Sequence, residues 1–364
     1  MPLYGPLTLL GFLSKVHYYD DKNTGPLLVL CRDGIGRTGT FIALDILIQQ
    51  MATENVVDIE GCVWKLRNQR VNMVETKEQY LFLYEAVLEG TIVGRTSFPQ
   101  RTYYQHVEVI CFRYIDGKSL FIREFMVGRL LSLIILRCNL SVLEYLDVTF
   151  GCSSSYAPAG DSDRPQLSTP YREGNDYINA VYVDSFRKAN RYIVTQMPME
   201  NTQVDFWRLV YDYKIKFIVM LNQLHERLSG PIMVKHYQLL DWNSNDPVPW
   251  DNGSFLQLID IIQRTQELDT YRKNDKILIH CLNGDARSGL FCAVSFVVEQ
   301  IRMNEDVDVF SAAKYILARR PQFIGNSETN VVFQRSVERS GASDGDGLAY
   351  LLEYSIVVPS VFLV

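Results

Sequence analysis

Residues 29–41 read VLCRDGIGRTGTF: a cysteine at 31, an arginine six positions later at 37, glycines at 34, 36 and 39, and a hydroxyl at Thr38. The spacing C-x5-R suits a particular chemistry. A thiol attacks a phosphoester well only as a thiolate, and a glycine-rich loop entering a helix supplies the aligned N–H dipoles that lower its pKa. The same N–H groups form a nest for a phosphate, and glycines let the backbone turn far enough to make it. An arginine closes the nest with two parallel hydrogen bonds that a lysine cannot reproduce. A hydroxyl directly after the arginine can support the sulfur as a leaving group.

The stretch occurs twice. With an offset of 250 and no gap, residues 25–70 align with residues 275–320: Cys31 with Cys281, Gly34 with Gly284, Arg37 with Arg287, Gly39 with Gly289, Phe41 with Phe291 and Asp58 with Asp308. A period this long means two copies of a domain, since solenoid repeats run about 20–50 residues. Each copy opens on a short apolar run, LLVL at 27–30 or KILIH at 276–280, which predicts a strand. The loop follows, then a helical pattern. A second helix is predicted after Asn55-Val56 and after Glu305-Asp306. Upstream of the second copy, DYINAVYVDSF and RYIVTQMP read as paired strands, DFWRLVYDY as a helix and FIVMLNQL as a buried strand. Residues 139–175 and the tail from 340 are poorly patterned and are expected to be irregular.

Composition narrows the function. A chain of 364 residues with 47% hydrophobic residues can build two or three cores. A net charge of -6 argues against a partner bound through nucleic-acid phosphates. The seven cysteines, at 31, 62, 111, 138, 152, 281 and 292, are odd in number and widely spaced, which suits reduced thiols in a cytosolic protein and no metal site. The N-terminus lacks signal-peptide features, and the apolar run at 130–136 is too short for a membrane span. There is no Gly-Lys-Ser/Thr pair for a nucleotide-hydrolysing phosphate loop, and the five histidines do not cluster with carboxylates.

The motifs CRDGIGRTGTF, NMVETKEQYLFLYEAVLEG (72–90), DYINAVYVDSFRKANRYIVTQMPMENTQVDFWRLVYDY (176–213) and HCLNGDARSGLFCA (280–293) together carry a family resemblance. The chain resembles the cytoplasmic region of a receptor-type protein tyrosine phosphatase with tandem phosphatase domains, and is most similar to the mu and kappa subfamily. The resemblance implies an α/β protein tyrosine phosphatase fold in two tandem copies, both incomplete. Residues 1–110 would be the C-terminal part of the membrane-proximal domain, 111–163 an irregular linker, 164–338 a shortened distal domain and 339–364 an irregular tail. It also implies hydrolysis of protein phosphotyrosine through a cysteinyl-phosphate intermediate, without a cofactor. Phosphotyrosine proteins would be the partners, with contacts between phosphatase domains. The family's membrane anchor would lie in a segment absent here.

By the same resemblance Cys31 is the nucleophile, Arg37 the phosphate clamp, Thr38 the aid to intermediate breakdown and Gln79 the residue that orients the hydrolytic water. Arg32, Asp33, Gly34, Ile35 and Gly36 form the first phosphate loop. Cys281, Arg287 and Ser288 are the distal counterparts, with Leu282, Asn283, Gly284, Asp285 and Ala286 as the second loop. Family distal domains are commonly weak or inactive. Three departures lower the expected activity of the first loop: Leu30 replaces a histidine, Arg32 a serine and Asp33 a small residue. At 6 Å and an effective dielectric near 20, one like charge beside a phosphate costs about 3 kcal/mol, of which pairing of Asp33 with Arg32 would offset a part. Asp285 is the matching intruder in the second loop. The family's acid loop matches 241–250, where Ser244 takes the aspartate's place and Asp246 is the displaced candidate acid. Thr329 stands where Gln79 stands in the first copy. Two functions are open, an impaired phosphatase or an inactive module that binds phosphotyrosine or protein.

Overall fold

The computed structural model describes residues 5–20, 25–94, 96–111, 164–168, 176–222, 234–240, 242, 246, 249, 252–268, 276–324 and 351–356. The chain divides into two compact units, Met1–Ser97 and Phe98–Val364.

The first unit holds four helices among its described residues: α1 (Pro6–Asp20), α2 (Gly36–Glu54), α3 (Ile59–Gln69) and α4 (Lys77–Val93). Its core gathers Leu13, Leu44, Leu47, Val63, Leu66, Leu83 and Val87 from all four. The predicted strand at 27–30 is not formed. Residues 26–31 carry no strand pairing among the described residues, and Leu28 and Leu30 stand 82% and 76% exposed. The reason is physical: a strand needs a neighbour to take its N–H and C=O groups, and the described part of this unit is helical.

In the second unit the equivalent segment has such neighbours. Its elements are β1 (Phe98–Pro99), α5 (Gln100–Cys111), β2 (Ala180–Val183), β3 (Tyr192–Gln196), α6 (Gln203–Asp212), β4 (Phe217–Met220), β5 (Val234–Leu239), α7 (Asn252–Leu268), β6 (Ile277–Cys281), α8 (Ala286–Asn304), β7 (Asp306–Val307), α9 (Val309–Arg319) and β8 (Leu351–Ile356). A six-stranded sheet runs in the order β2-β3-β6-β4-β5-β8. Strand β6 lies between β3 and β4 and is parallel to both. Alternate residues feed the two faces, as the strand period requires. Ile277, Ile279 and Cys281 join the core under α7, α8 and α9, while Leu278 joins the core under α6.

Two expectations change. Residues 98–110 belong to the second unit, because Phe98 and Pro99 pair with Val307 and Asp306 and the buried Tyr103 and Val107 join its larger core. Part of the tail expected to be irregular is β8, antiparallel to the edge of β5 with Leu351 opposite Leu239. The stretch 139–163 lies outside the described residues.

The duplication holds in detail. Helices α2 and α8 differ in numbering by 250 at both ends, as do α3 and α9. Asp58 caps α3 by accepting from Gly61 N at 2.8 Å, and Asp308 caps α9 by accepting from Ser311 N at 2.9 Å. Asn55 and Glu305 both close their helices in the left-handed region.

Two buried histidines mark the sheet. His280 on β6 and His236 on β5 are both 1% exposed, with ring centroids 5.9 Å apart. Burial pushes His280 down to about 3, helped by His236, and pushes His236 down to about 4. Both folded values lie below the ordinary 6.5, so on acidification the unfolded chain takes up protons that the folded sheet refuses. The stability contribution is present in full above pH 6.5 and is lost as pH falls from there towards 3–4. The second unit should therefore lose denaturant resistance across that window, and His280→Phe should flatten the dependence; a pH-independent midpoint would count against the burial.

Hydrogen exchange provides a second check. Amides of 277–281 should exchange slowly and those of 27–30 by fast local opening; equal protection would contradict the unpaired first strand.

Candidate active site

Each loop turns at a glycine in the left-handed region, Gly34 at φ 67° and Gly284 at φ 68°, where a β-carbon is strained. At Gly284 space forbids it as well, since an added Cβ would lie 2.5 Å from Thr195 C on β3. An arginine at the end of the second helix after the loop, α3 or α9, holds each turn. Arg70 Nη2 donates to Asp33 O at 3.1 Å, and Arg320 Nη1 donates to Gly284 O at 2.7 Å while its Nη2 donates to Asn179 Oδ1 at 2.7 Å. Farther along, Gly39 packs against the backbone of Met73 and Val74, and Gly289 against Phe323. Neither arginine had been assigned a role from sequence, although both close the aligned repeat and so could have been found by it.

The first loop is open. Cys31 is half-buried, and its thiol is lowered to about 7, first by the side chain and amide of Thr38 and then by the amides of Gly34 and Asp33. Thr38 Oγ1 is itself buried, and among the described residues it has no nitrogen or oxygen partner. The N-terminus of α2 follows Ile35, which offers no side-chain cap, so its N–H groups are left for an anion. Arg37 is exposed. Asp33 and Arg32 face solvent, 67% and 87% exposed, with Nε and Oδ1 3.9 Å apart. A pair so exposed is worth about 0–1 kcal/mol, so it offsets little of the aspartate's charge.

Gln79 reaches this loop from α4. A Cβ added at Gly36 would fall 2.8 Å from Gln79 Nε2 and 3.0 Å from Glu75 Oε2. Gln79 Oε1 accepts from Glu75 N at 2.9 Å and Thr76 N at 3.3 Å, and Thr76 Oγ1 accepts from Gln79 N, completing a capping box. The fold thus brings Cys31, Thr38 and Gln79 to one loop, and adds Glu75, which sequence reasoning had passed over.

In the second loop the polar side chains are engaged by protein groups. Cys281 is 1% exposed. Arg287 Nη1 donates to Leu221 O at 2.9 Å and Trp242 O at 3.1 Å, and its Nη2 to Asp246 O at 3.3 Å. Its guanidinium also stacks 4.7 Å from the Trp242 ring centre. Asp246 O also accepts from Trp242 Nε1 at 3.0 Å, so Arg287 and Trp242 both meet the backbone carbonyl of the candidate acid. Asp285 Oδ1 accepts from Ala286 N at 2.7 Å, occupying the helix terminus where a phosphate oxygen would bind. Ser288 Oγ is buried without a partner among the described residues. Thr329 lies outside them.

A cysteine loop at the carboxyl end of a central parallel strand, leading into a helix, stands where α/β folds place their ligand sites. The Protein-tyrosine phosphatase family matches the chain over residues 2–89, 152–231 and 227–337, more than half its length, and the chain belongs to that family. Receptor-type tyrosine-protein phosphatase U of Gallus gallus is 31% identical over 385 residues, covering 89% of this chain and 26% of that protein. Receptor-type tyrosine-protein phosphatase F is 28% identical in Danio rerio and 27% in Homo sapiens, covering 93% of this chain and 20% of each relative. The chain therefore spans about a quarter or less of the length of these relatives. Among the described residues no helix is long and apolar enough to cross a membrane.

The two thiols should differ in reactivity. Alkylation of Cys31 by iodoacetamide should be half-maximal near pH 7, and Thr38→Val should move that midpoint upward, because the Thr38 side chain is the largest cause of the lowering. Cys281 should stay unmodified until the second unit is unfolded. Equal labelling of the two would overturn the assignment of open and closed loops.

Proposed function

We propose that the chain hydrolyses protein phosphotyrosine slowly, through a phosphocysteine formed at Cys31, and that the second unit does not catalyse. The observation that carries this reading is the accessible Cys31 thiol, lowered to about 7 at the foot of an uncapped helix. In the proposed reaction the Cys31 thiolate attacks phosphorus and the aryl oxygen leaves. The loop N–H groups and Arg37 hold the phosphoryl oxygens, and water then cleaves the S–P bond with Thr38 supporting the departing sulfur.

Turnover is proposed to be slow because the site is poorly preorganised, and electrostatic catalysis depends on groups already in place. Segment 26–31 has no strand pairing among the described residues, and the exposed Arg37 side chain must be ordered on binding, at about 1.5–2 kcal/mol. The charge of Asp33 adds to this. In the second unit Arg287 is engaged by three carbonyls and Asp285 caps the helix that would bind phosphate. These contacts favour an inactive module there, serving protein binding or contact between phosphatase domains. Placement beside the mu and kappa receptors, as a shortened member anchored through a segment outside this chain, rests on the motifs quoted above. The family matches the second copy in two segments, 152–231 and 227–337, rather than in one, which supports the shortening of that copy.

The test is an assay of the whole chain on p-nitrophenyl phosphate, whose leaving group needs no proton, and on a phosphotyrosine peptide. General acid catalysis contributes about 10²–10⁴ in rate, so the peptide should be cleaved far more slowly. Cys31→Ser should abolish activity on both substrates, while Cys281→Ser should leave it within about twofold. Loss of activity in Cys281→Ser with retention in Cys31→Ser would reverse the assignment.

A further inference from the structure

Where α2 and α8 end, each unit forms a ledge before its next helix, and the two ledges are built alike. Asn55 and Glu305 turn in the left-handed region, their N–H groups donating to Met51 O at 3.1 Å and Ile301 O at 2.9 Å. Asp58 N donates to Gln50 Oε1 and Asp308 N to Gln300 Oε1, both at 3.3 Å. In the second unit the ledge is covered. Phe98 and Pro99 of β1 pair antiparallel with Val307 and Asp306 of β7, and the first N–H of α5, on Gln100, donates to Glu305 O at 2.9 Å. Tyr103 and Val107 of α5 then join the same core as Val307 and Phe296. In the first unit the matching ledge has no strand pairing among the described residues. Val56 is 58% exposed against 8% for its counterpart Asp306, and Ile46 is 43% exposed against 6% for Phe296.

We propose that the open ledge at Asn55, Val56 and Val57 is a docking site for a partner protein's strand–helix segment. The segment is built as Phe98–Cys111 is: two extended residues run antiparallel to Val56 and Val57, and an amphipathic helix follows whose first N–H is received by Asn55 O. The second unit shows the backbone geometry that such a segment needs, and the first unit keeps that geometry without the cover. Charge selects the occupant. The covered ledge presents Glu305 and Asp306, and its occupant carries Arg101 in the first turn of α5. Carboxylates beside a helix N-terminus and an arginine hold the chain's own segment there. The open ledge presents Asn55 and Val56 instead, so it favours an apolar residue opposite Val56 and an uncharged first helical turn. A second copy of this chain, whose segment is matched to the acidic ledge, is the poorer occupant. The ledge is also separate from the chemistry: the 19 residues of α2 place it about 27 Å from the phosphate loop, so a docked partner leaves Cys31 accessible.

The experiment titrates the whole chain into a fluorescein-labelled peptide of residues 97–110 carrying Arg101→Gln, and reads anisotropy. The second ledge is already filled by the chain's own segment, at an effective concentration of about a millimolar, so one peptide should bind per chain, at the first unit. Val56→Asp, a change at an exposed position, should weaken this peptide about tenfold by desolvating a carboxylate and should tighten the peptide that keeps Arg101. Val56→Lys should weaken both peptides, so the gain for the Arg101 peptide in Val56→Asp separates charge at the ledge from damage to the fold. Iodoacetamide should alkylate Cys31 at the same rate with the peptide bound. Absence of saturable binding, binding indifferent to both Val56 variants, or protection of Cys31 by the peptide would each overturn the docking site. Concentration-dependent association of the chain alone in sedimentation, reversed by the peptide, would make a second copy the occupant and overturn the partner.

Discussion

The geometry of both units depends on one constraint, the turn that carries the chain from the cysteine into the helix. That turn requires a residue at positive φ, met by Gly34 and Gly284, and a carbonyl of the turn must be held. Arg70 and Arg320 do this from the ends of equivalent helices, donating to Asp33 O and Gly284 O. The helix ends are in turn set by Asp58 and Asp308 as caps. Loop, following helix, second helix and returning arginine thus form a closed set of mutually supporting contacts. This explains how the unit recurs at an offset of 250 even where the strand before it is unpaired.

On that shared frame the two copies diverge through a few polar contacts. In the second, Arg287 is drawn to carbonyls of Leu221, Trp242 and Asp246, and Asp285 turns onto Ala286. Each contact satisfies a group that a phosphate would otherwise have to satisfy, so binding there must first break protein hydrogen bonds worth about 0.5–1.5 kcal/mol each. In the first copy the helix terminus has no side-chain cap, and the thiol receives the loop dipoles instead. The same backbone therefore leaves the helix terminus without a side-chain cap in one copy and capped in the other.

Much of this was legible in the sequence because it depends on local chemistry. The left-handed glycines, the helix caps at Asp58 and Asp308, the capping box at Thr76 and Gln79, and the strand–loop–helix order of residues 277–304 all follow from residue types at short spacing. The paired strands β2 and β3, helix α6 and buried strand β4 were likewise readable from their periodicity. The misreadings share a cause in non-local pairing. LLVL has the composition of a strand, yet 27–30 has no pairing neighbour, whereas the tail at 351–356 has little strand signal and pairs along the whole of β5.

By itself the sequence determined the family, the duplication and which residues stand at the two loops, because these reside in identity and spacing. Only the tertiary structure decided where each side chain is directed. It turns Arg287 towards carbonyls rather than into its loop, leaves Asp33 in solvent, assigns Phe98 and Pro99 to the second unit and brings Glu75 against Gly36. The physical reason is that a hydrogen bond or a strand pairing is chosen among all the partners the fold brings within reach.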